Sequence, residues 1–226
     1  MTLTSTAKRI TCDRCLRPQS ACICRWITPT AHAVEVVVLQ HPMEEHSAKG
    51  SARLLHLSLS RSRMVTGEVF AERALQALLH DPFEINAETT KDEKRTILLY
   101  PQTTEATSAP PILTPEMLRD PSQLRLVVLD GTWRKSRKML HLNPLLQRLP
   151  RLSLHDVPLS RYLIRKAHRA DQLSTLEATC LALTQLEGNA ERFQPLLNAF
   201  DGFIAQQLAQ REAGIAAESK STTNAI

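Results

Sequence analysis

The stretch LRLVVLDGTW, residues 124–133, decides the fold of this 226-residue chain. Its first six residues are mostly apolar, which is typical of a short strand buried on both faces of a sheet. Asp130 and Gly131 follow at once, and the sequence from Trp133 onward predicts a helix as far as about Leu142. A buried strand that passes directly into a helix predicts a parallel sheet covered by helices.

The same alternation continues on both sides of this stretch. Further strands are predicted at 34–39, 96–100 and 152–155, and helices at 47–57, 72–80, 174–187 and 193–210. Residues after about 213 are too polar to be expected to order. We therefore predict an α/β fold with a mostly parallel sheet and helices on both faces.

Length and composition restrict the class of protein. The length indicates one large domain with appendages, and 42% hydrophobic with 23% charged residues is ordinary for a soluble globular protein. A net charge of +5 favours a polyanionic partner. Only six glycines occur, and the closest two, Gly202 and Gly214, are twelve positions apart. A glycine-rich dinucleotide loop and a Walker-type phosphate loop are therefore excluded.

The cysteines predict a metal site. The N-terminal sequence MTLTSTAKRI lacks the apolar segment of a secretion signal, so we expect a cytoplasmic protein. In that reducing compartment, clustered cysteines more often bind metal than form disulfides. Four of them follow a C-x2-C-x6-C-x-C pattern: Cys12, Cys15, Cys22 and Cys24. Two close pairs of thiols suit tetrahedral zinc and predict a structural zinc knuckle, with a redox pair or metal-free thiols as the alternative.

Polar residues follow three of the predicted strands. Ligands of a parallel α/β sheet bind beyond the carboxyl ends of its strands. The sequences at those ends are HPME at 41–44, YP at 100–101 and DGTW at 130–133. The last combines a carboxylate, a glycine, a hydroxyl and one of the two tryptophans. Asp130 is therefore a candidate functional residue, although Asp130 or Thr132 would also serve as the N-cap of the following helix.

Basic residues form three groups near the predicted strand ends. They are Lys49, Arg53, Arg61 and Arg63; Arg134, Lys135, Arg137 and Lys138; and Arg161, Arg165, Lys166, His168 and Arg169. Together they predict a track for the phosphates of RNA or DNA. The alternative for each single residue is that it lies on a solvent-exposed basic surface without binding nucleic acid.

Five motifs, in this order, resemble those of DTW-domain proteins. They are Cys12-Cys15-Cys22-Cys24, His41-Pro42-Met43-Glu44, Tyr100-Pro101, Asp130-x-Thr132-Trp133 and Ser174-Thr175-Leu176-Glu177-Ala178. The resemblance covers about residues 10–205. The family is similar to the tRNA-uridine aminocarboxypropyltransferases, which transfer the 3-amino-3-carboxypropyl group of S-adenosylmethionine to N3 of a tRNA uridine and release methylthioadenosine. Its members resemble SPOUT-class proteins, which implies a knotted α/β fold with the cofactor at the carboxyl ends of parallel strands.

These expectations extend to domains and single residues. We expect a zinc knuckle at 1–30, a DTW/SPOUT-like catalytic domain at 31–212 and a disordered tail at 213–226. The resemblance implies contacts with S-adenosylmethionine from Tyr100, Pro101, Asp130, Gly131, Thr132, Trp133, Tyr162, Ile164, Ser174, Thr175 and Glu177. Contacts with tRNA are expected from Lys49, Arg53, Arg134, Lys135, Arg137, Lys138, Arg165 and Lys166. Two alternatives stay open: Trp133 either stacks on a base or roofs the pocket, and Glu177 either lines the pocket or closes a capping box with Ser174.

The implied reaction needs one general base. N3 of uridine is a poor nucleophile until its proton is removed, whereas a carbon next to a sulfonium needs no acid to expel its leaving group. Asp130 is the predicted base, and partial burial beside Trp133 is expected to raise its pKa from about 4. Two alternative functions remain. A SPOUT-like RNA methyltransferase would release S-adenosylhomocysteine, and a non-catalytic zinc-bearing RNA-binding protein would not bind S-adenosylmethionine.

Overall fold

A computed structural model describes residues 10–83, 94–102, 110–160 and 173–223, with side chains as far as residue 212. Five strands form one parallel sheet within these residues. In chain order they are β1 (Glu35–Gln40), β2 (Ser62–Thr66), β3 (Arg95–Leu99), β4 (Leu124–Asp130) and β5 (Arg151–Leu152). Their spatial order is β2-β1-β4-β3-β5, so the strand of the deciding stretch lies at the centre.

The register of β1 and β4 brings two predicted strand ends together. Every residue of both strands is buried, and Gln40 is the register partner of Asp130. The backbone N–H of His41 donates to the carbonyl oxygen of Asp130 at 2.9 Å, one step beyond the last register pair. The HPME and DGTW sequences therefore leave the sheet side by side.

Helices cover both faces of the sheet, as predicted. In chain order they are α1 (Ala52–Ser58), α2 (Glu72–His80), α3 (Trp133–Leu142), α4 (Pro144–Gln147), α5 (Thr175–Glu187) and α6 (Gln194–Thr223). Side chains alternate along the strands, so Val36 and Val38 pack with the core of α1, α5 and α6. Val37 and Leu39 point the other way, into the core of α2, α3 and α4. The α/β class and the parallel sheet are confirmed, whereas the SPOUT-like knot stays a prediction.

Several predicted boundaries need correction. The helix predicted at 47–57 begins only at Ala52, because the preceding residues form turns. The strand predicted at 152–155 is reduced to β5, which has two residues. β2 was not predicted, because this edge strand is only partly buried and carries Arg63 among its apolar residues.

The predicted disordered tail is also corrected. α6 runs past residue 213 to Thr223, over the sequence GIAAESKSTT. Its Ala, Glu and Lys residues have high helix propensity, which outweighs the lack of an apolar face. Residues 224–226 lie outside the described residues.

The N-terminal knuckle, residues 10–30, packs into the same core as α5 and α6. Cys15 and Ile23 are buried among residues of α5 and α6. Trp26 Nε1 donates to Oε1 of Gln206 at 2.6 Å, and Gln206 Nε2 donates to the carbonyl oxygen of Cys22 at 3.1 Å. The division at residue 30 therefore marks a change in local structure within one continuous core. Among the described residues, no helix is long and apolar enough to cross a membrane.

Candidate active site

The carboxylate of Asp130 lies at the centre of a buried cluster at the strand ends. Asp130 is 5% exposed, and each of its oxygens accepts a hydrogen bond. Gln40 Nε2 donates to Oδ2 at 2.8 Å, and Thr175 Oγ1 donates to Oδ1 at 2.7 Å. These two hydrogen bonds connect the carboxylate to β1 and to the first residue of α5.

Thr132, and not Asp130, caps α3. The Thr132 side chain accepts a hydrogen bond from the backbone N–H of Lys135 at 3.4 Å. The capping alternative for Asp130 is therefore excluded, and its side chain turns toward α5 instead. Gly131 makes a close turn between strand and helix, because a Cβ there would lie 3.1 Å from Cβ of Lys135.

A cavity of about 440 Å³ opens above this cluster. Its walls come from the carboxyl ends of β3, β4 and β5 and from the beginning of α5. The lining residues are Leu99, Tyr100, Pro101, Val128, Leu129, Gly131, Trp133, Ser136, Leu152, Ser153, Leu154, Val157, Leu173, Ser174, Thr175 and Ala178. Thr175 thus lines the cavity, whereas Asp130, to which it donates, is not one of the lining residues.

Two aromatic side chains form one side of the cavity. The rings of Tyr100 and Trp133 meet edge to face with centroids 5.8 Å apart. The Arg151 guanidinium lies 5.4 Å from the Tyr100 ring centroid and also packs against that ring. Burial raises the pKa of Tyr100, so its hydroxyl stays protonated at neutral pH. Trp133 is 53% exposed, which leaves much of its ring available to a ligand.

Ser174 and Glu177 form the capping box that the sequence predicts. Ser174 Oγ accepts from the Glu177 backbone N–H at 3.2 Å, and Glu177 Oε2 accepts from the Ser174 backbone N–H at 2.7 Å. Ser160 Oγ also donates to the Glu177 carboxylate at 2.9 Å. Glu177 is 6% exposed and does not belong to the lining set of the described cavity. The pair therefore fixes the start of α5, which carries Thr175 into the cavity.

The four knuckle cysteines converge as a metal site requires. Their sulfur atoms all lie within 4.8 Å of one another, with Cys12 and Cys24 at 3.6 Å and Cys15 and Cys22 at 3.8 Å. A tetrahedron with Zn–S bonds of about 2.3 Å has S–S edges of roughly 3.8 Å. The donor set and the spacing therefore fit a zinc ion held by four protein ligands.

The electrostatics of these thiols also favour metal binding. Hydrogen bonds from the backbone N–H groups of Cys15 and Arg14 lower the pKa of the Cys12 thiol to about 6. Burial raises the pKa of the Cys24 thiol to about 12. The lowered pKa favours the thiolate form of Cys12. A bound cation would also favour deprotonation of the other three thiols.

A model of the DTW domain matches residues 9–208 of the chain. The chain belongs to the DTW domain family.

Curated relatives of this DTW-family protein share one kind of name. It is similar to tRNA-uridine aminocarboxypropyltransferase 2 of Drosophila melanogaster, with 30% identity over 89% of this chain and 76% of that protein. It is also similar to the protein of the same name from Mus musculus, with 28% identity over 89% of this chain and 64% of that protein. The matched region of tRNA-uridine aminocarboxypropyltransferase A of Arabidopsis thaliana is 26% identical and covers 51% of that protein. No solved structure matches the chain.

Six of the expected cofactor contacts line the cavity of the DTW-family protein. They are Tyr100, Pro101, Gly131, Trp133, Ser174 and Thr175. The other described ones, Asp130, Thr132 and Glu177, support the cavity wall through the hydrogen bonds given above. Tyr162 and Ile164 lie outside the described residues.

Ion pairs hold two of the expected RNA contacts on α3. Lys135 Nζ lies 2.8 Å from Glu44 Oε1, and Lys138 Nζ lies 2.9 Å from Glu68 Oε2. Glu68 also accepts from Nε2 of His41 at 2.9 Å. Hydrogen bonds from Lys138 and His41 lower the pKa of the Glu68 carboxyl. These two lysines therefore tie α3 to the segments that follow β1 and β2.

The remaining expected RNA contacts lie mostly at the surface. Arg134, Arg137 and Lys49 are exposed, and Arg53 is half-buried. Arg165 and Lys166 lie outside the described residues. α3 and the segment after β1 both begin at the carboxyl edge of the sheet, the edge on which the cavity opens.

Gln40 is a site residue that the sequence analysis missed. It ends an apolar strand with a polar side chain directly before His41, which is the same signal that identified Asp130. Ser136 and Ser153 line the cavity and were also missed, since an isolated serine carries no comparable signal. Ser153 follows the very short β5, whose predicted extent was wrong.

The knuckle reaches the site through Arg17. Its guanidinium donates to the carbonyl oxygens of Ala48 at 2.6 Å and Gly50 at 2.7 Å. Ser51, the next residue, accepts through Oγ from the backbone N–H of Leu176 at 3.3 Å. The knuckle therefore supports the turns before α1, and those turns support the beginning of α5.

Proposed function

We propose that this DTW-family protein transfers the 3-amino-3-carboxypropyl group of S-adenosylmethionine to N3 of a tRNA uridine. One observation carries the proposal: a buried carboxylate lies directly beneath a cavity at the carboxyl ends of the strands, with Thr175 between them. The names of the relatives supply the group transferred and the acceptor.

The cavity suits a nucleoside-bearing donor. Its volume of about 440 Å³ falls in the range of small-molecule sites, and its walls combine apolar strand ends with a few polar groups. Tyr100 and Trp133 offer aromatic surface for a purine or pyrimidine ring. The bound donor supplies a sulfonium that makes its neighbouring carbon electrophilic. The protein has to hold that carbon in line with N3 of the uridine.

Asp130 supplies the base. The uridine must lose the N3 proton as the new bond forms, and proton transfer to a positioned side chain accelerates such steps by roughly 10²–10⁴. Asp130 lies behind the cavity lining, where Gln40 and Thr175 hold its carboxylate. These two hydrogen bonds orient the carboxylate toward Thr175 and so toward the cavity.

Two further parts of the proposal concern the polyanion and the metal. Arg134, Arg137 and Lys49 are exposed at the edge that carries the cavity and would meet tRNA phosphates there. The knuckle would hold one structural zinc, as its sulfur spacing supports. We further propose that the protein acts in the cytoplasm and that its knuckle ends near residue 30.

The replacement Asp130→Asn tests the proposal. Asparagine keeps both hydrogen bonds, because its carbonyl oxygen accepts from Thr175 and its amide donates to Gln40. Among the described residues, Gln40 Oε1 has no hydrogen-bond partner, so a rotation of the Gln40 amide presents that oxygen to the new donor. We expect an intact fold with a single-turnover rate of aminocarboxypropyl transfer lowered by roughly 10²–10⁴.

The matched control is Asp120→Asn. Asp120 is exposed and caps a turn before β4, at the opposite edge of the sheet. Asparagine caps about as well as aspartate, so this control should transfer at the wild-type rate. A folded Asp130→Asn protein with near wild-type transfer would remove Asp130 as the base.

A further inference from the structure

We propose that Thr175 relays the proton between N3 of the acceptor uridine and Asp130. This inference rests on the proposed transfer reaction and assigns the residue that touches the reacting atom. Its basis is an arrangement of two side chains: Thr175 lines the cavity, and its hydroxyl donates to the buried carboxylate beneath.

The burial of Asp130 creates the need for an intermediary. Asp130 is 5% exposed and does not belong to the cavity lining, so a uridine in the cavity meets Thr175 before it meets the carboxylate. The hydrogen bond from Thr175 Oγ1 to Asp130 Oδ1 is 2.7 Å long, within the range for a well-formed O–H···O bond. This hydrogen bond connects the cavity to the base, and a proton can be transferred along it.

The chemistry of a hydroxyl fits this position. A threonine hydroxyl has one proton and two lone pairs. With its proton directed to Asp130, Oγ1 presents its lone pairs as an acceptor for another donor. The N3–H group of uridine is such a donor, whereas a carbonyl oxygen of the base is not. The arrangement therefore selects an acceptor ring that offers an N–H.

Three hydroxyls around the beginning of α5 have structural roles, and one of them, Thr179 Oγ1, donates to the carbonyl oxygen of Thr175 at 2.7 Å. Ser174 Oγ accepts from the Glu177 backbone in the capping box, and Ser51 Oγ accepts from the Leu176 backbone. Ser174 and Ser51 therefore stabilise the beginning of α5 and do not take part in the proton relay. Since Ser174 is the N-cap, a change at Thr175 leaves the capping box of α5 in place.

In the relay, two protons move while one bond forms and one breaks. The N3–H proton passes to Thr175 Oγ1 while the Oγ1 proton passes to Asp130 Oδ1. The N3 electron pair forms the bond to the γ-carbon of the aminocarboxypropyl group. The bond between that carbon and sulfur breaks with its electrons going to sulfur, which leaves neutral methylthioadenosine. Asp130 ends the step protonated, and Thr175 ends it unchanged.

Several titratable or charged groups lie near the cavity in the part of the chain that the structure describes. Tyr100 has a pKa raised by burial, with Arg151 over its ring. Glu177 closes the capping box, and His41 donates to Glu68. All of them are present in both variants at Thr175, so a difference in pH profile between the valine and serine variants reports on the loss of the hydroxyl.

The test compares Thr175→Val, which keeps the shape but removes the hydroxyl, with Thr175→Ser, which keeps the hydroxyl. Single-turnover transfer to tRNA is measured as a function of pH, together with thermal melts and the Kd for S-adenosylmethionine. We expect the valine variant to lose roughly 10²–10⁴ in rate and the serine variant to stay within about tenfold of wild type. In the valine variant only uridine that is already ionised reacts, so the rate should rise by about tenfold per pH unit, more steeply than in wild type.

A double variant separates a relay from a second, independent contribution. If Thr175 acts only through Asp130, the protein carrying both Thr175→Val and Asp130→Asn should be no slower than the slower single variant. Multiplied losses would overturn the relay, as would a valine variant that transfers at near wild-type rate. A weaker Kd for S-adenosylmethionine with unchanged rate and pH profile would also overturn it and make Thr175 a cofactor contact. Failure of the proposed function looks different, because the wild-type protein would then form no aminocarboxypropyl product.

Discussion

At the scale of single residues, Gly202 shows how closely the knuckle packs against α6. A Cβ at this position would lie 2.7 Å from Cε3 of Trp26 and closer still to Cζ3 of the same ring. Trp26 has little freedom to move away, because its indole N–H donates to Gln206 on the same helix. The absence of a side chain at residue 202 therefore permits this helix to meet the knuckle.

The replacement Gly202→Ala should destabilise the protein. Helix propensity alone would favour alanine by about 1 kcal/mol. The clash with Trp26 forces repacking, which typically costs about 1–3 kcal/mol, so we expect a net loss of stability. A thermal melt checks the sign, with Ala205→Gly on the exposed side of α6 as the control for propensity. A higher Tm for Gly202→Ala would show that Trp26 does not limit this contact.

Residue identities at the site were predictable where a rare side chain follows a strand. Asp130 and Trp133 stand out in the sequence because an apolar run ends there. The partners of Asp130 were harder to predict, because its contact with Thr175 joins residues 45 positions apart and depends on how α5 docks. The choice between Asp130 and Thr132 as helix cap was also undetermined, since both residue types cap helices well.

At the scale of elements, the knuckle is a support for the site. The four cysteines lie in a segment with little regular structure beyond the short 3-10 turns at 19–21 and 24–26. Arg17 transmits that order to the turns before α1 by holding the carbonyl oxygens of Ala48 and Gly50. Metal binding in such a segment contributes directly to its folding free energy.

We expect the knuckle to bind zinc. Protein purified without chelator should contain about one zinc per chain by elemental analysis. Cys22→Ser should lose most of the metal and melt at a lower temperature, because one of four ligands is gone. Cys180→Ala is the control, since Cys180 is buried against α5 neighbours and lies outside the sulfur cluster. Less than about half an equivalent in the wild-type protein would contradict the assignment.

The bounds of elements with strong periodicity or a continuous apolar sequence were predicted to within one or two residues. This is seen for α2, α3 and β4. The start of α1 was predicted too early because residues 47–51 look helical by composition. Tertiary contacts with Arg17 hold the chain there as turns instead. β2 was missed because an edge strand needs only partial burial.

At the scale of the whole molecule, charge and cavity lie at the same edge of the sheet. The net charge of +5 is modest, but exposed cations on α3 lie at the carboxyl edge that carries the cavity. A tRNA held there by its phosphates would bring one uridine to the cavity. Base contacts in the cavity would then select the uridine, while the cations hold the backbone.

Salt dependence tests this surface. Arg134→Gln should weaken tRNA binding and reduce the slope of log Kd against log salt by about 1, as expected for the loss of one phosphate contact. Arg148→Gln is the control, because Arg148 is exposed before β5 at the opposite edge. The Kd for S-adenosylmethionine should not change in either variant. Equal effects of the two changes on tRNA binding would contradict a localised track.

The class of fold follows from composition and alternation alone, since continuous apolar strands separated by helices require coverage on both faces. The order of the strands does not, because it depends on which neighbours each strand finds after its helix crosses the sheet. The function depends further on which bond of the donor is placed next to N3. That choice rests on the pose of a ligand in the cavity between Trp133 and Thr175.

The most direct measurement uses two labelled forms of S-adenosylmethionine, one labelled in the carboxyl carbon and one in the methyl carbon. Each is incubated with the wild-type protein and tRNA, and the label in the tRNA is counted after digestion to nucleosides. Aminocarboxypropyl transfer predicts that only the carboxyl label enters a modified uridine, with methylthioadenosine released. Entry of the methyl label alone, or of neither label, would contradict the account.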